Sequence, residues 1–144
     1  MKPMIRYRIN KAERLLTVRF SGAVSAADWQ KALSQAIAEC PEVVTFDSVN
    51  DIQSPKAILT GNEASEFAVS AKTIGMQDHP RRSVVIARQM AHFVISQMFE
   101  NMTQPDREVD RLTTDSISKA AAWVGRPEAL VRAELDALDA PKGA

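Results

Sequence analysis

Ser83-Val84-Val85-Ile86-Ala87 is a short, continuous apolar run rich in β-branched residues, and Val43-Val44-Thr45-Phe46-Asp47-Ser48-Val49 opens in the same way. Runs of this kind are the signature of central strands buried on both faces, which is the situation of parallel strands in an α/β sheet. Parallel neighbours cannot be joined by a hairpin; each needs a crossover helix. The chain supplies amphipathic stretches at the required places, so the two runs decide the fold class.

Working outward, Met4–Ile9 and Arg14–Phe20 read as an N-terminal strand pair. Tyr7 and Ile9 alternate with Arg6 and Arg8, and Leu16, Val18 and Phe20 alternate with Thr17 and Arg19, the period-two pattern of strands with one wetter face. The short polar link between them predicts a hairpin, and Ser21-Gly22 breaks the second strand. An amphipathic helix follows over Ser25–Cys40. Ser25 with Asp28 forms a capping arrangement, Trp29, Leu33, Ile37 and Cys40 recur at helical spacing, and Pro41 ends the helix. Val43–Val49 is expected as the first buried strand, Asn62–Ile74 as a helix and Ser83–Ala87 as the second buried strand. A helix at Met90–Met102, a strand at Glu108–Leu112 and a helix at Asp115–Val124 continue the rhythm. Gly125 is a helix stop, Pro127 a first-turn residue, and Leu130, Val131, Leu135 and Leu138 stripe a last helix within 126–140. The expected architecture is α/β: one domain over 1–144, with a four- to five-stranded, mainly parallel sheet. It carries an antiparallel N-terminal hairpin strand and four to five flanking helices.

Composition narrows the function classes. The 144 residues suit one domain with a real core, and 45% apolar with 25% charged residues is ordinary for a globular chain. Eighteen basic and eighteen acidic residues cancel, so no global field favours nucleic acid or an anionic membrane. No apolar run approaches the roughly 20 residues of a membrane helix. Met1-Lys2-Pro3-Met4-Ile5-Arg6 lacks a signal-peptide core, and the lone Cys40 fits a reducing compartment. A cytoplasmic protein is the expectation.

In parallel sheets, ligands favour the loops beyond the carboxyl ends of strands. Here the expected loops are Asp47–Pro55 and Arg88–Met90. Asp47, Ser48, Asn50, Asp51 and Ser54 in the first are the candidate partner-binding or switch residues. Asp47 and Asp51 with Asn50 could hold a metal or form an acid–base pair, against the plainer reading that they cap turns. No His or Cys ligand lies close in sequence, and no Gly-x-Gly pattern cradles a phosphate, so neither catalytic residues nor a metal or cofactor is assigned. Cys40 has no neighbouring cation in sequence and reads as an inert buried thiol. Arg81, Arg82 and Arg88 form a basic cluster, either a solvated sheet end or a site for an anion or acidic partner. In the Met90–Met102 helix apolar residues spread over more than one stripe; ordinary core packing is the plainer reading, which leaves Phe93 or Phe99 as surplus beside the adaptable Met98 and Met102. They are candidates for a dimer contact or for a cavity holding a small apolar ligand.

Three stretches carry a family resemblance: the hairpin ending in Phe20-Ser21-Gly22, Val43-Val44-Thr45-Phe46-Asp47, and Ala120-Ala121-Ala122-Trp123-Val124. With the order of elements they resemble the bacterial SpoIIAA-like group of the STAS superfamily, which shares its fold with lipid-binding CRAL-TRIO proteins. The resemblance spans Met4 to Val124. It implies the sheet described above and, together with the lack of a catalytic constellation, a noncatalytic regulatory role exercised through an unidentified protein partner; a homodimer is expected from the apolar surplus of the Met90–Met102 helix. The alternative it implies is carriage of a small lipid-like ligand. In phosphorylatable members an Asp-Ser-Ser/Thr-Gly motif starts the helix after a central strand. The matching stretch here is Gln53-Ser54-Pro55-Lys56, which puts Ser54 near the phosphorylated position. The Asp is replaced by Gln53 and the Gly is absent, so the resemblance carries the fold and not the kinase-operated switch.

Overall fold

The computed structural model describes residues 4–52, 61–73, 79–90, 94, 96, 97 and 109–139. Strand β1 (Met4–Asn10) pairs antiparallel with β2 (Leu15–Ser21), and β3 (Asp47–Ile52), β4 (Arg81–Ala87) and β5 (Val109–Thr114) follow in parallel. The sheet order β1-β2-β3-β4-β5 is the chain order. Helices α1 (Ala26–Glu39), α2 (Gly61–Thr73), α3 (Ile117–Val124) and α4 (Glu128–Ala137) flank it. The α/β class and the mainly parallel sheet with one antiparallel strand are as the sequence predicts. In the expected Met90–Met102 helix, Met90, Val94, Ser96 and Gln97 have helical backbone. Phe93, Met98, Phe99 and Met102 lie outside the described residues, as does Ser54.

Alternation along the strands sorts the core into two layers. Leu16, Val18, Phe20 and Ile52 pack with α1 and with Phe67 and Ala71 of α2. Leu15, Val49, Val84 and Ile86 pack with Ala120, Ala121 and Val124 of α3 and Val131 and Leu135 of α4. On the first layer Trp29 and Phe67 rings stand 5.2 Å apart, and Phe20 meets Phe67 edge-on at 6.4 Å. These contacts join α1 and α2 to each other and to the sheet.

The predicted caps are present. Ser25 Oγ accepts the Asp28 amide at 3.1 Å, and the Asp28 carboxylate accepts the Ser25 amide at 3.0 Å. Gly125 closes α3 at φ +67°, with Gly125 N–H donating to Ala122 O and Arg126 N–H to Ala121 O, a Schellman pair.

Two expectations fail. Val43 and Val44 are not strand residues: Pro41–Thr45 is a 3-10 turn, and β3 starts at Asp47. Pro41 fixes the entry of that turn, Phe46 N–H donates to Val43 O, and Val43 and Phe46 fill the core from it. Nor does β2 have a wetter face: Thr17 and Arg19 are as buried as Leu16 and Val18. Helix α4 lies over that face. Its buried Glu134 accepts Arg8 Nε at 2.7 Å and Asn10 Nδ2 at 2.8 Å.

Candidate functional site

The start of β3 at Asp47 moves the candidate residues from a loop into the middle of the sheet. Asp47, Ser48, Asn50 and Asp51 are all strand residues, and alternation sends them to opposite faces. Ser48 and Asn50 share a face with Ile52; Asp47 and Asp51 share one with Val49. Four residues of strand separate the two aspartates, about 13 Å at the usual rise. They cannot share a metal or work as an acid–base pair, and Asn50 points away from both. Among the described residues no group of three or more His, Cys, Asp and Glu could hold a metal ion.

Each aspartate has its own arginine. Asp47 Oδ1 accepts the Arg82 amide at 2.8 Å, and Oδ2 accepts Arg126 Nη1. Arg126 also donates through Nη2 to the carbonyls of Glu13 and Arg14, so one guanidinium ties the β1–β2 hairpin to β3 and to the α3–α4 corner. Arg14 itself sits at φ +50°, a left-handed conformation unfavourable for a side chain. Its guanidinium reaches Thr45 Oγ1 at 2.6 Å and lies 4.8 Å over the Phe46 ring, contacts that offset the strain.

Asp51 is fully buried near the carboxyl end of β3. Arg19 of β2, in register with it, donates Nε to Oδ2 at 3.2 Å, and Arg88, just past β4, donates Nη1 to Oδ1. Arg19 Nη1 continues to Asp139, beyond α4. The result is a line of alternating charges, Arg88–Asp51–Arg19–Asp139, dry in the middle and wet at both ends.

The opposite face of β3 and β4 carries neutral donors and one cation. Ser48 and Ser83 hydroxyls are 2.9 Å apart, Asn50 Nδ2 reaches Ser83 Oγ and Val84 O at 3.2 Å, and Arg81 Nη1 reaches Ser48 Oγ at 3.0 Å. Burial pulls the Arg81 guanidinium down to about 10, with the Asp47 charge opposing. The expected solvated cluster of Arg81, Arg82 and Arg88 is therefore split: Arg81 is buried, Arg82 is exposed, and Arg88 is half-exposed on Asp51. Further along this face Ser96 and Thr113 hydroxyls bond at 2.7 Å.

Cys40 is buried, and burial and the Glu42 carboxylate at 3.5 Å push its thiol up. The cation absent from its sequence neighbourhood is supplied by the fold as Lys11, whose opposing effect is the smaller. Both residues line an open groove of ≈ 540 Å³ with Arg8, Ile9, Asn10 and Glu39, none of them a predicted site residue. Arg19, Arg126, Glu134 and Asp139 were not legible as functional or network residues, because their partners lie more than thirty positions away.

No family model, no curated protein and no solved structure matches this chain. Among the described residues no helix is long and apolar enough to cross a membrane.

Proposed function

We propose that this protein is a noncatalytic regulatory module of the STAS type that binds a protein partner, or a second copy of itself, at the carboxyl edge of its parallel strands. The observation that supports this reading is the surface following β4. Met90 and Val94, both on helical backbone, are large apolar side chains 78% and 49% exposed. Arg88, two residues before Met90, is half-exposed. Exposed apolar side chains beside an arginine are the composition of a contact surface.

The polar lining of the sheet favours this reading over an apolar ligand carrier. Ser48, Asn50, Ser83 and Arg81, with the Ser96–Thr113 pair, put hydroxyls, an amide and a charge where a lipid-like cargo would need hydrocarbon. The partner surface also differs from the loop first expected, since Asp47, Ser48, Asn50 and Asp51 are engaged inside the sheet.

The test is site-specific photo-crosslinking in host cells, with the probe at position 90 or 94 and a control probe at exposed Val69 of α2. The expected result is a discrete adduct from positions 90 and 94 that Arg88→Glu abolishes. An adduct of twice the chain mass identifies a homodimer. Absence of adducts, or the same adducts from position 69, overturns the proposal.

A further inference from the structure

Among the described residues β1 pairs with β2 on one side and with no strand on the other, so it forms an edge of the sheet. None of its seven residues is buried, whereas six of the seven in β2 are. On that outer side the alternate amides and carbonyls of β1 have no ladder to join, which makes the edge a template for one more strand. The groove at Cys40 lies along it. Arg8, Ile9, Asn10 and Lys11 line it in succession, and successive strand residues point to opposite faces. A groove that takes in both faces follows the rim of the strand, with Glu39 and Cys40 at the end of α1 as its far wall.

Charge decides what kind of strand fits. Ile5, Tyr7 and Ile9 pack against the first core layer, while Arg6 and Arg8 lie on the α4 side. Arg8 donates to Glu134, yet its side chain is 53% exposed. Arg6 donates to neutral acceptors, Met4 Sδ at 2.9 Å and the Leu138 carbonyl at 2.7 Å. Lys11 is exposed and joins no ion pair among the described residues. A second copy of this chain fits badly. In an antiparallel β1–β1 pair about a two-fold axis, residues that stand opposite share a face. With Tyr7 on the axis each Arg6 faces an Arg8; with Arg6 or Arg8 on the axis, that arginine faces itself. Like charges directly opposite are destabilising, so β1 resists its own copy and favours a negative strand.

We propose that the outer side of β1 is a docking edge for an extended acidic segment of another protein, which joins the five-stranded sheet as one more strand. Acidic residues at alternate positions, about 7 Å apart at the usual rise, stand opposite Arg6 and Arg8. Main-chain hydrogen bonds supply the affinity and the two arginines the selection. Apolar residues between the acidic ones turn to the face of Ile5, Tyr7 and Ile9, where the groove beside Ile9 and Cys40 receives a side chain. The edge uses none of Arg88, Met90 and Val94. It therefore goes beyond the partner surface proposed there, and the two proposals fail separately.

The probe is a capped peptide of alternating glutamate and valine, titrated into the full chain while backbone amide NMR signals are followed. The expected result is saturable binding with the largest shifts at Met4–Asn10. The same peptide methylated at every backbone nitrogen keeps its charges but cannot donate to a strand. It is expected to bind at least tenfold more weakly, as the loss of several main-chain hydrogen bonds requires. Arg6→Gln and Arg8→Gln, each verified as folded by a circular-dichroism melt, are expected to weaken the acidic peptide about threefold apiece. A lysine–valine peptide is expected not to bind. Failure of the acidic peptide to bind, shifts centred outside β1, or equal binding of the methylated or lysine peptide overturns the proposal. So does a dimer of the chain alone whose dilution shifts the β1 signals, since the edge then belongs to a second copy.

Discussion

Arg19 and Asp51 are register partners on adjacent parallel strands, and both are buried. The pair is held by geometry from both sides, and removal of one member leaves the other charged in the core. Asp51→Ala is expected to cost about 3–5 kcal/mol in urea denaturation. The double variant Arg19→Met with Asp51→Leu should recover most of that loss. A double variant no more stable than the single one would mean that the pair is not the source of the cost.

The neighbouring Thr17 gives the opposite sign. Its hydroxyl is buried and has no hydrogen-bond partner among the described residues. Thr17→Val keeps the shape and removes the unpaired group, so a gain of about 1 kcal/mol is expected. A thermal melt of the two proteins side by side measures it, and a loss would show that the hydroxyl is satisfied in solution.

Tyr7 is the single tyrosine of the chain, so its titration can be read without assignment. Burial, then the bond to Glu39 Oε1 at 2.7 Å and that carboxylate's charge, push the phenol up from 10.0 to about 12. A raised folded value means the neutral phenol is favoured by folding. The contribution is complete below pH 10 and is lost as pH climbs from 10 to about 12. Ultraviolet absorbance of the phenolate should therefore show a midpoint well above that of free tyrosine, and Glu39→Gln should lower it. An unshifted midpoint would place Tyr7 in water.

Two helix ends can be checked by single substitutions. Ser25→Ala removes one half of the capping box and is expected to cost about 1 kcal/mol. Gly125→Ala should cost about 1–2 kcal/mol, since the residue is left-handed. The new Cβ would stand 4.0 Å from Arg82 Nη1, so the loss is conformational rather than steric. Chemical denaturation of each variant supplies the comparison.

These caps were legible because their signals are local: Ser25 and Asp28 are three residues apart, and Gly125 needs no partner to adopt its φ. The class of the fold was legible for the same reason, from Val84-Val85-Ile86-Ala87 and the helical spacing around it. Strand β3 was misplaced because Asp47-Ser48-Val49-Asn50-Asp51-Ile52 does not look like a buried strand. Its polar residues become compatible with the interior through Arg19, Arg82, Arg88, Arg126 and Ser83, which no local window contains. The neighbouring Val43 and Phe46 have the apolar character of a strand, yet they plug the core from a turn. Asp47 and Asp51 thus lie in a strand where their polar sequence predicts a loop, and Arg19 escapes notice because the alternation of its strand predicts a wet face.

The sheet order repeats the chain order. During synthesis each strand can thus dock on the exposed edge of one already made, and none has to be inserted between two others. The helices do not share this convenience. Leu15, Val49, Val84 and Ile86 are roofed by α3 and α4, which are made after all five strands. Until then a nascent chain carries its strands with one oily side open to its surroundings, and Arg126, between the two helices, arrives with them to fasten the hairpin made first. A chain truncated between residues 87 and 117 would lack that roof and should be the form of this protein most prone to stick to others.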